Sequence, residues 1–457
     1  MPRTAAPGGP SHSPAGASRS VRASLWTVTT PGLPFETAAA RAAFPVALAL
    51  LAAGCAASPP AEWAGVREVT PAFLLAARAS QPALAADEHG RVALTWVTRD
   101  STGTNLWLAT STDEGSTFAA PLHVNEREGS VMSFPENRPL AVFGAEGRLA
   151  IVWCQSRAGQ EGAADIVVRA SGDGGVTLGP TVVVNDDAAD ANPTFHGFPT
   201  LTFLPDGALL AVWMDQRELK RKPGEHHEEP SSAALFYAQS TDGGRTWSDN
   251  RRLTDRACPC CRAVATSDAS GRVAVAYRAA GGNLRDPALA VSNDHGHTFA
   301  LDTLFSADGW QLQGCPAVGP ALTWNGAGGL YVWYTEAGSP GVYAAPWTAE
   351  QGRTGVRRPL TDGLLDASHP RAAAFGPATL IAVEARPRAD TTSHVLAVRE
   401  LEENGTLTPW TLLGAEVESG WIATAGPATA LACWSERREG GTRVRLVRIE
   451  PRRAGRA

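Results

Sequence analysis

Ser111-Thr112-Asp113-Glu114-Gly115-Ser116-Thr117-Phe118 decides the fold, because its pattern returns as SGDGGVTL from Ser171, STDGGRTW from Ser240 and SNDHGHTF from Ser292. Each copy reads Ser-x-Asp-x-Gly-x-Thr-aromatic, with Leu178 in place of the aromatic in the second. An aspartate carboxylate can accept the backbone N–H groups of a tight turn, glycine tolerates positive φ, and the last apolar side chain can tuck between strands. Asp113, Asp173, Asp242 and Asp294 are therefore expected to be structural turn residues.

Two further repeats run in step with the boxes. Alternating apolar segments end in an aromatic at Trp96, Trp153, Trp213, Tyr277, Trp333 and Trp434, with a degenerate copy near Val383. Their period-2 alternation reads as β-strand. A proline stands eight residues before a turn glycine at Pro82 and Gly90, Pro139 and Gly147, Pro199 and Gly207, and Pro320 and Gly328. Each unit then reads as strands A and B, strand C, the box turn and strand D, which is one propeller blade. The units fall near 82–125, 137–186, 196–255, 258–306, 313–361, 368–413 and 417–449. The predicted fold is an all-β propeller of four-stranded blades, with seven favoured over six on the count of strand-B segments, although the last three units lack the box. The final unit has room for three strands, so Val66 to Leu75 is expected to supply the fourth and close the ring.

The N-terminus carries an export pattern. Arg41 precedes the apolar run Ala42 to Ala53, which ends in Leu51-Ala52-Ala53-Gly54-Cys55. This run is too short to span a bilayer and resembles a signal peptide ending in a bacterial lipobox, with Cys55 as the lipidated first mature residue. Cleavage as an ordinary secretory signal is the alternative. The expected organisation is an extension and signal over 1–54, an anchor, linker and closing strand over 55–80, the propeller over 81–450 and a tail over 451–457. Residues 1–54 hold four Arg and one Glu, so their removal takes the net charge from −6 to −9. An acidic chain lacks the basic footprint of a general nucleic-acid binder. Membrane contact is expected through the lipid anchor alone, at the outer membrane or cell surface.

On its boxes and strand periodicity, the chain resembles the sialidase superfamily of Asp-box (BNR) repeat proteins over residues 80 to 450. In that family the boxes lie on the C–D turns, away from the catalytic face. The resemblance implies an Arg-Ile-Pro motif before the first box, three arginines for the substrate carboxylate, an Asp acid/base and a Tyr–Glu nucleophile pair. No Arg-Ile-Pro precedes Ser111; the nearest match is Asn137-Arg138-Pro139, inside the ordinary strand-A repeat. Nucleophile candidates are Tyr334, near Glu336, and Tyr343, both where core residues recur.

The D–A and B–C loops share the face opposite the boxes. Charged residues fall there just after strand B, including Arg99, Arg157, Asp215, Arg217, Arg278, Glu336, Glu384 and Glu436. Such a ring suits a glycan or other envelope component; a solvated rim of ion pairs is the alternative. Arg99, Arg217, Arg278, Arg285, Asp286 and Glu336 are the candidate ligand contacts.

Cys258-Pro259-Cys260-Cys261-Arg262 and Cys315-Pro316 occupy equivalent positions on adjacent blades, with Cys258 and Cys315 each five residues before the strand-A proline position. Cys260 aligns with His196, and His369 directly precedes Pro370. Four thiols and two imidazoles are thus expected near the channel mouth. A disulfide from Cys315 to one of the other three is favoured in an exported protein. A copper or zinc site, with His369 as a further ligand, and thiol–disulfide exchange are the alternatives. Cys154 and Cys433 read as buried core thiols. His226-His227-Glu228-Glu229 reads as a charged loop.

The expected function is a surface lipoprotein that binds glycans, with sialidase-type hydrolysis left open. A non-catalytic scaffold or receptor, or a metal or thiol-redox protein, are the competing readings.

Overall fold

The computed structural model describes residues 65–450 except 77, 190–193, 219–232, 301–302, 325–327 and 427. Cys55, the export segment, the His226-His227-Glu228-Glu229 loop and the 451–457 tail lie outside the described residues. The described chain forms seven sheets of successive antiparallel strands, a seven-bladed propeller. Blade 1 shows the plan, with strands Ala79–Ala86, Val92–Asp100, Gly103–Ser111 and Leu122–His123. Blades 2 to 7 open at Leu140, His196, Val264, Ala321, Leu364 and Val417.

Ring closure uses less of the N-terminal segment than the sequence suggests. Val66–Glu68 pairs antiparallel with the last strand, Val66 opposite Ile449 and Glu68 opposite Val447. Pro71 has no N–H to continue the ladder, and a short helix, Ala72–Ala76, follows it. Its Leu74 is fully buried, and Phe73 stacks on Trp96 at 5.3 Å. The closing edge is therefore both hydrogen-bonded and pinned by apolar packing, which removes two exposed sheet edges.

Seven apolar seams fill the spaces between neighbouring blades, including the one between blades 7 and 1. Strand-B aromatics Trp153, Trp213, Tyr277 and Trp333 are essentially inaccessible within them. The boxes serve these seams. Asp113 Oδ1 accepts from Ser111 Oγ at 2.7 Å and Thr117 N at 2.8 Å, while Ser111 Oγ accepts from Gly115 N at 2.9 Å. Asp173, Asp242 and Asp294 make the same turn. Glu114 N donates to Gly90 O at 2.9 Å, which puts the first box on the face of the A–B turns. Phe118, Leu178, Trp247 and Phe299 each pack into the seam with the preceding blade.

Candidate functional site

The centre of the opposite face is built on a buried cluster of charges. Glu136 leads into strand A of blade 2, and its Oε1 accepts from Arg371 Nη2 of blade 6 at 3.0 Å. Its Oε2 lies 3.2 Å from Arg262 Nε of blade 4 and accepts from Gly319 N of blade 5 at 2.7 Å. Blades 2, 4 and 6 can meet only near the axis, so this carboxylate ties the hub. Arg138 joins it, donating to Pro82 O and Ser419 O. Arg138 and Arg371 both lie over the Trp421 ring, at 5.1 and 4.8 Å. Burial alone would raise Glu136, but the charges of Arg262 and Arg371 outweigh it and hold the carboxyl well below the usual range. Below the tie, Ala-rich strands A and Trp421 line a channel cavity of 270 Å³.

Around the hub, the residue just before strand A's proline position recurs in a strained conformation. Gln81, Phe198, His369 and Ser419 have φ of 51°, 53°, 50° and 57°. Each sits at a β-bulge. Left-handed backbone costs a non-glycine residue about 1–2 kcal/mol, and such strain gathers at binding and catalytic sites. His369 Nδ1 lies 2.9 Å from Ser368 Oγ and 3.9 Å from Glu384 Oε2. Glu384 Oε1 in turn accepts from Gly420 N at 2.7 Å. Phe134, an exposed ring, packs edge-on against Phe198 at 5.4 Å.

On blade 5, Tyr334 Oη donates to the exposed Glu336 Oε1 at 2.8 Å. Burial and the adjacent Glu336 charge raise the Tyr334 phenol. Tyr343 is instead core, donating to Ser339 O at 2.7 Å. Arg278 is buried and spent on backbone carbonyls, those of Val318, Arg285 and Tyr334. Arg285 is also buried, and Asp286 accepts from Gly309 N and Trp310 N, so it shapes its own loop. Arg217 grips Asp215 through Nε and Nη2, and exposed Arg99 donates to Thr104 Oγ1 at 3.1 Å. Of the candidate ligand contacts, Glu336 and Arg99 thus face solvent.

Cys260 and Cys315 form a disulfide with Cα atoms 6.1 Å apart, stapling blades 4 and 5. Cys258 and Cys261 stay reduced and buried behind it. A hydrogen bond from Cys261 and the charges of Arg278 and Arg285 hold Cys258 at about 7, while burial pushes Cys261 well up. Neither imidazole joins the sulfurs among the described residues. His369 turns to Glu384, as above. His196 lies fully buried with Nε2 at 3.1 Å from Asp187 Oδ1 and 3.3 Å from Asp215 Oδ2. Its Nδ1 donates to Ala164 O at 2.8 Å. Loop alignment predicts convergence, but blade 3 turns its imidazole outward to two carboxylates that the alignment does not weigh. Cys154 and Cys433 are buried, and burial raises Cys154 to about 12.

Glu136, Arg262 and Arg371 escape the sequence reading. The available signal was Arg138 and Arg262 recurring just before the strand-A proline position.

No family model and no curated protein matches the chain. Solved structures do resemble it. Polysaccharide lyase Uly1 is 12% identical, with 81% of this chain and 90% of that one covered and a TM-score of 0.50. The GH93 α-L-arabinofuranosidase of Fusarium graminearum is 15% identical over 82% of this chain and 93% of its own, at a TM-score of 0.45. The Hadza microbial sialidase Hz136 is 14% identical over 84% and 68%, at 0.43. These likenesses concern the fold.

Proposed function

We propose that the protein binds a glycan on the face formed by the D–A and B–C loops. The carrying observation is the recurrence of left-handed residues around the hub, Gln81, Phe198, His369 and Ser419, at one strand-A position of four blades, since backbone strain gathers at binding sites. The His369–Glu384 pair and the exposed Phe134 ring offer the polar groups and stacking surface that sugars use. A polysaccharide lyase shares the fold, and the reading rests on the site rather than on that likeness. Binding to an immobilised glycan panel tests it. Phe134→Ala and Glu384→Gln are expected to weaken a hit seen with the native protein, and Asp113→Asn on the opposite face to leave it unchanged. Absence of any hit, or equal loss with Asp113→Asn, refutes the reading.

A second reading, a retaining glycoside hydrolase, is favoured by the Tyr334–Glu336 hydrogen bond, which joins a nucleophile to its base. The proposal includes export and lipidation at Cys55, supported by Leu51-Ala52-Ala53-Gly54-Cys55. Mass spectrometry of the mature N-terminus decides it: diacylglyceryl on Cys55 supports it and an unmodified N-terminus refutes it.

A further inference from the structure

The disulfide leaves more sulfur on blade 4 than a staple needs. Sγ atoms of Cys258, Cys260 and Cys261 all lie within 4.8 Å of one another, and the Cys258 and Cys260 sulfurs are 3.7 Å apart. Cys315 Sγ is bonded to Cys260 Sγ, so four sulfurs from two loops, 55 residues apart, occupy one small volume. In a tetrahedral thiolate site the sulfurs stand about 2.3 Å from the ion and hence about 3.8 Å from each other. The Cys258–Cys260 spacing already matches that edge.

Exposure divides the four. Cys258 and Cys261 are 1% and 4% exposed and form a small cluster of their own with Ala280. Cys315 lies open to solvent. A reductant can therefore reach the bond from the Cys315 side while the inner pair stays shielded. Two buried guanidiniums, Arg278 and Arg285, stand beside the inner pair, and Arg285 Nε has no hydrogen-bond partner among the described residues. Buried positive charge is what a site collecting several thiolates needs, since four thiolates exceed the charge of any one soft cation.

We propose that Cys258, Cys260, Cys261 and Cys315 form a site for one thiophilic d10 cation, Cu(I) or Zn(II), open only when the Cys260–Cys315 bond is reduced. A dithiol supplies the electrons: its thiolate attacks Cys315 Sγ, the S–S bond breaks, and Cys260 leaves as the thiolate. The second thiol of the reductant then closes its own disulfide and frees Cys315. Two electrons have passed from the dithiol to the protein. The cation displaces the thiol protons to solvent as it binds. Disulfide and metal exclude each other, because a bonded sulfur is not a thiolate ligand.

The test uses the mature protein, oxidised or reduced with dithiothreitol and desalted without oxygen, titrated with Cu(I) or Zn(II) against a chromophoric competitor. The reduced form is expected to take up one equivalent with ultraviolet thiolate-to-metal absorption, and the oxidised form none. Competition between the two ions tells which one the site prefers. Cys258→Ser and Cys315→Ser are each expected to lower affinity by more than the roughly 10–100-fold that loss of an outer-shell partner causes. Should Cys258→Ser fail to fold, Cys315→Ser decides, since Cys315 is exposed. No uptake by the reduced protein, equal uptake by the oxidised protein, or full affinity in Cys315→Ser each overturns the proposal.

Discussion

Glu136 and Arg371 meet at 3.0 Å although 235 residues separate them in the chain. Their contact joins blades 2 and 6, and Arg262 brings in blade 4 on the other oxygen. A carboxylate shared by guanidiniums at the hub locks the ring from inside, where the seams lock it pairwise. Glu136→Ala removes the only acid in contact with these two buried arginines among the described residues, and breaking such a pair costs about 3–5 kcal/mol. Urea unfolding is expected to show a loss of that order, with Glu136→Gln intermediate. Because the carboxyl is held low in the fold, its contribution is present above the ordinary carboxylate range and lost as pH falls through the folded value. A Glu136→Gln protein should therefore show a shallower stability loss in acid.

His196 gives the opposite pH slope. Burial alone would lower its pKa, yet the hydrogen bonds and charges of Asp187 and Asp215 raise it to about 9. A raised histidine contributes fully below the unfolded value near 6.5 and loses that contribution as pH rises through about 9. The change amounts to roughly 3 kcal/mol, at 1.36 kcal/mol per unit. Thermal unfolding of the native protein should fall between pH 7 and 10, and that of His196→Gln should start lower and stay flat.

Tyr334 and Glu336 separate binding from hydrolysis. If the pair is catalytic, Tyr334→Phe and Glu336→Gln reduce the turnover of an aryl glycoside by at least about 100-fold, the scale of lost acid–base assistance, while glycan affinity changes little. Steady-state kinetics beside a binding isotherm checks this, and unchanged turnover in both variants removes the hydrolase reading.

Gly115 tests the structural role of the boxes. It has φ of +75°, and an added Cβ would stand 2.8 Å from Leu431 Cδ1 of blade 7. Gly115→Ala carries the left-handed penalty of about 1–2 kcal/mol together with that clash. Calorimetry should show a lower Tm, with glycan binding at native temperature unchanged because the box lies on the far face.

The blades, the box turns and closure of the ring by a strand from the Val66 to Leu75 segment were legible in the residues themselves, although only Val66–Glu68 of that segment pairs. These features depend on period-2 burial and on hydrogen bonds within a few residues, such as Ser111 to Asp113, which any local stretch carries with it. Repetition then multiplied one local rule into seven blades. Which sulfur Cys315 binds, where His196 and His369 turn, and that Arg278, Arg285 and Asp286 serve backbone rather than solvent were decided by the tertiary structure alone. The Glu136 hub belongs with them. Its members come from blades 2, 4, 5 and 6, which no local pattern relates, and only closure of the ring brings their side chains to one axis and withdraws them from water.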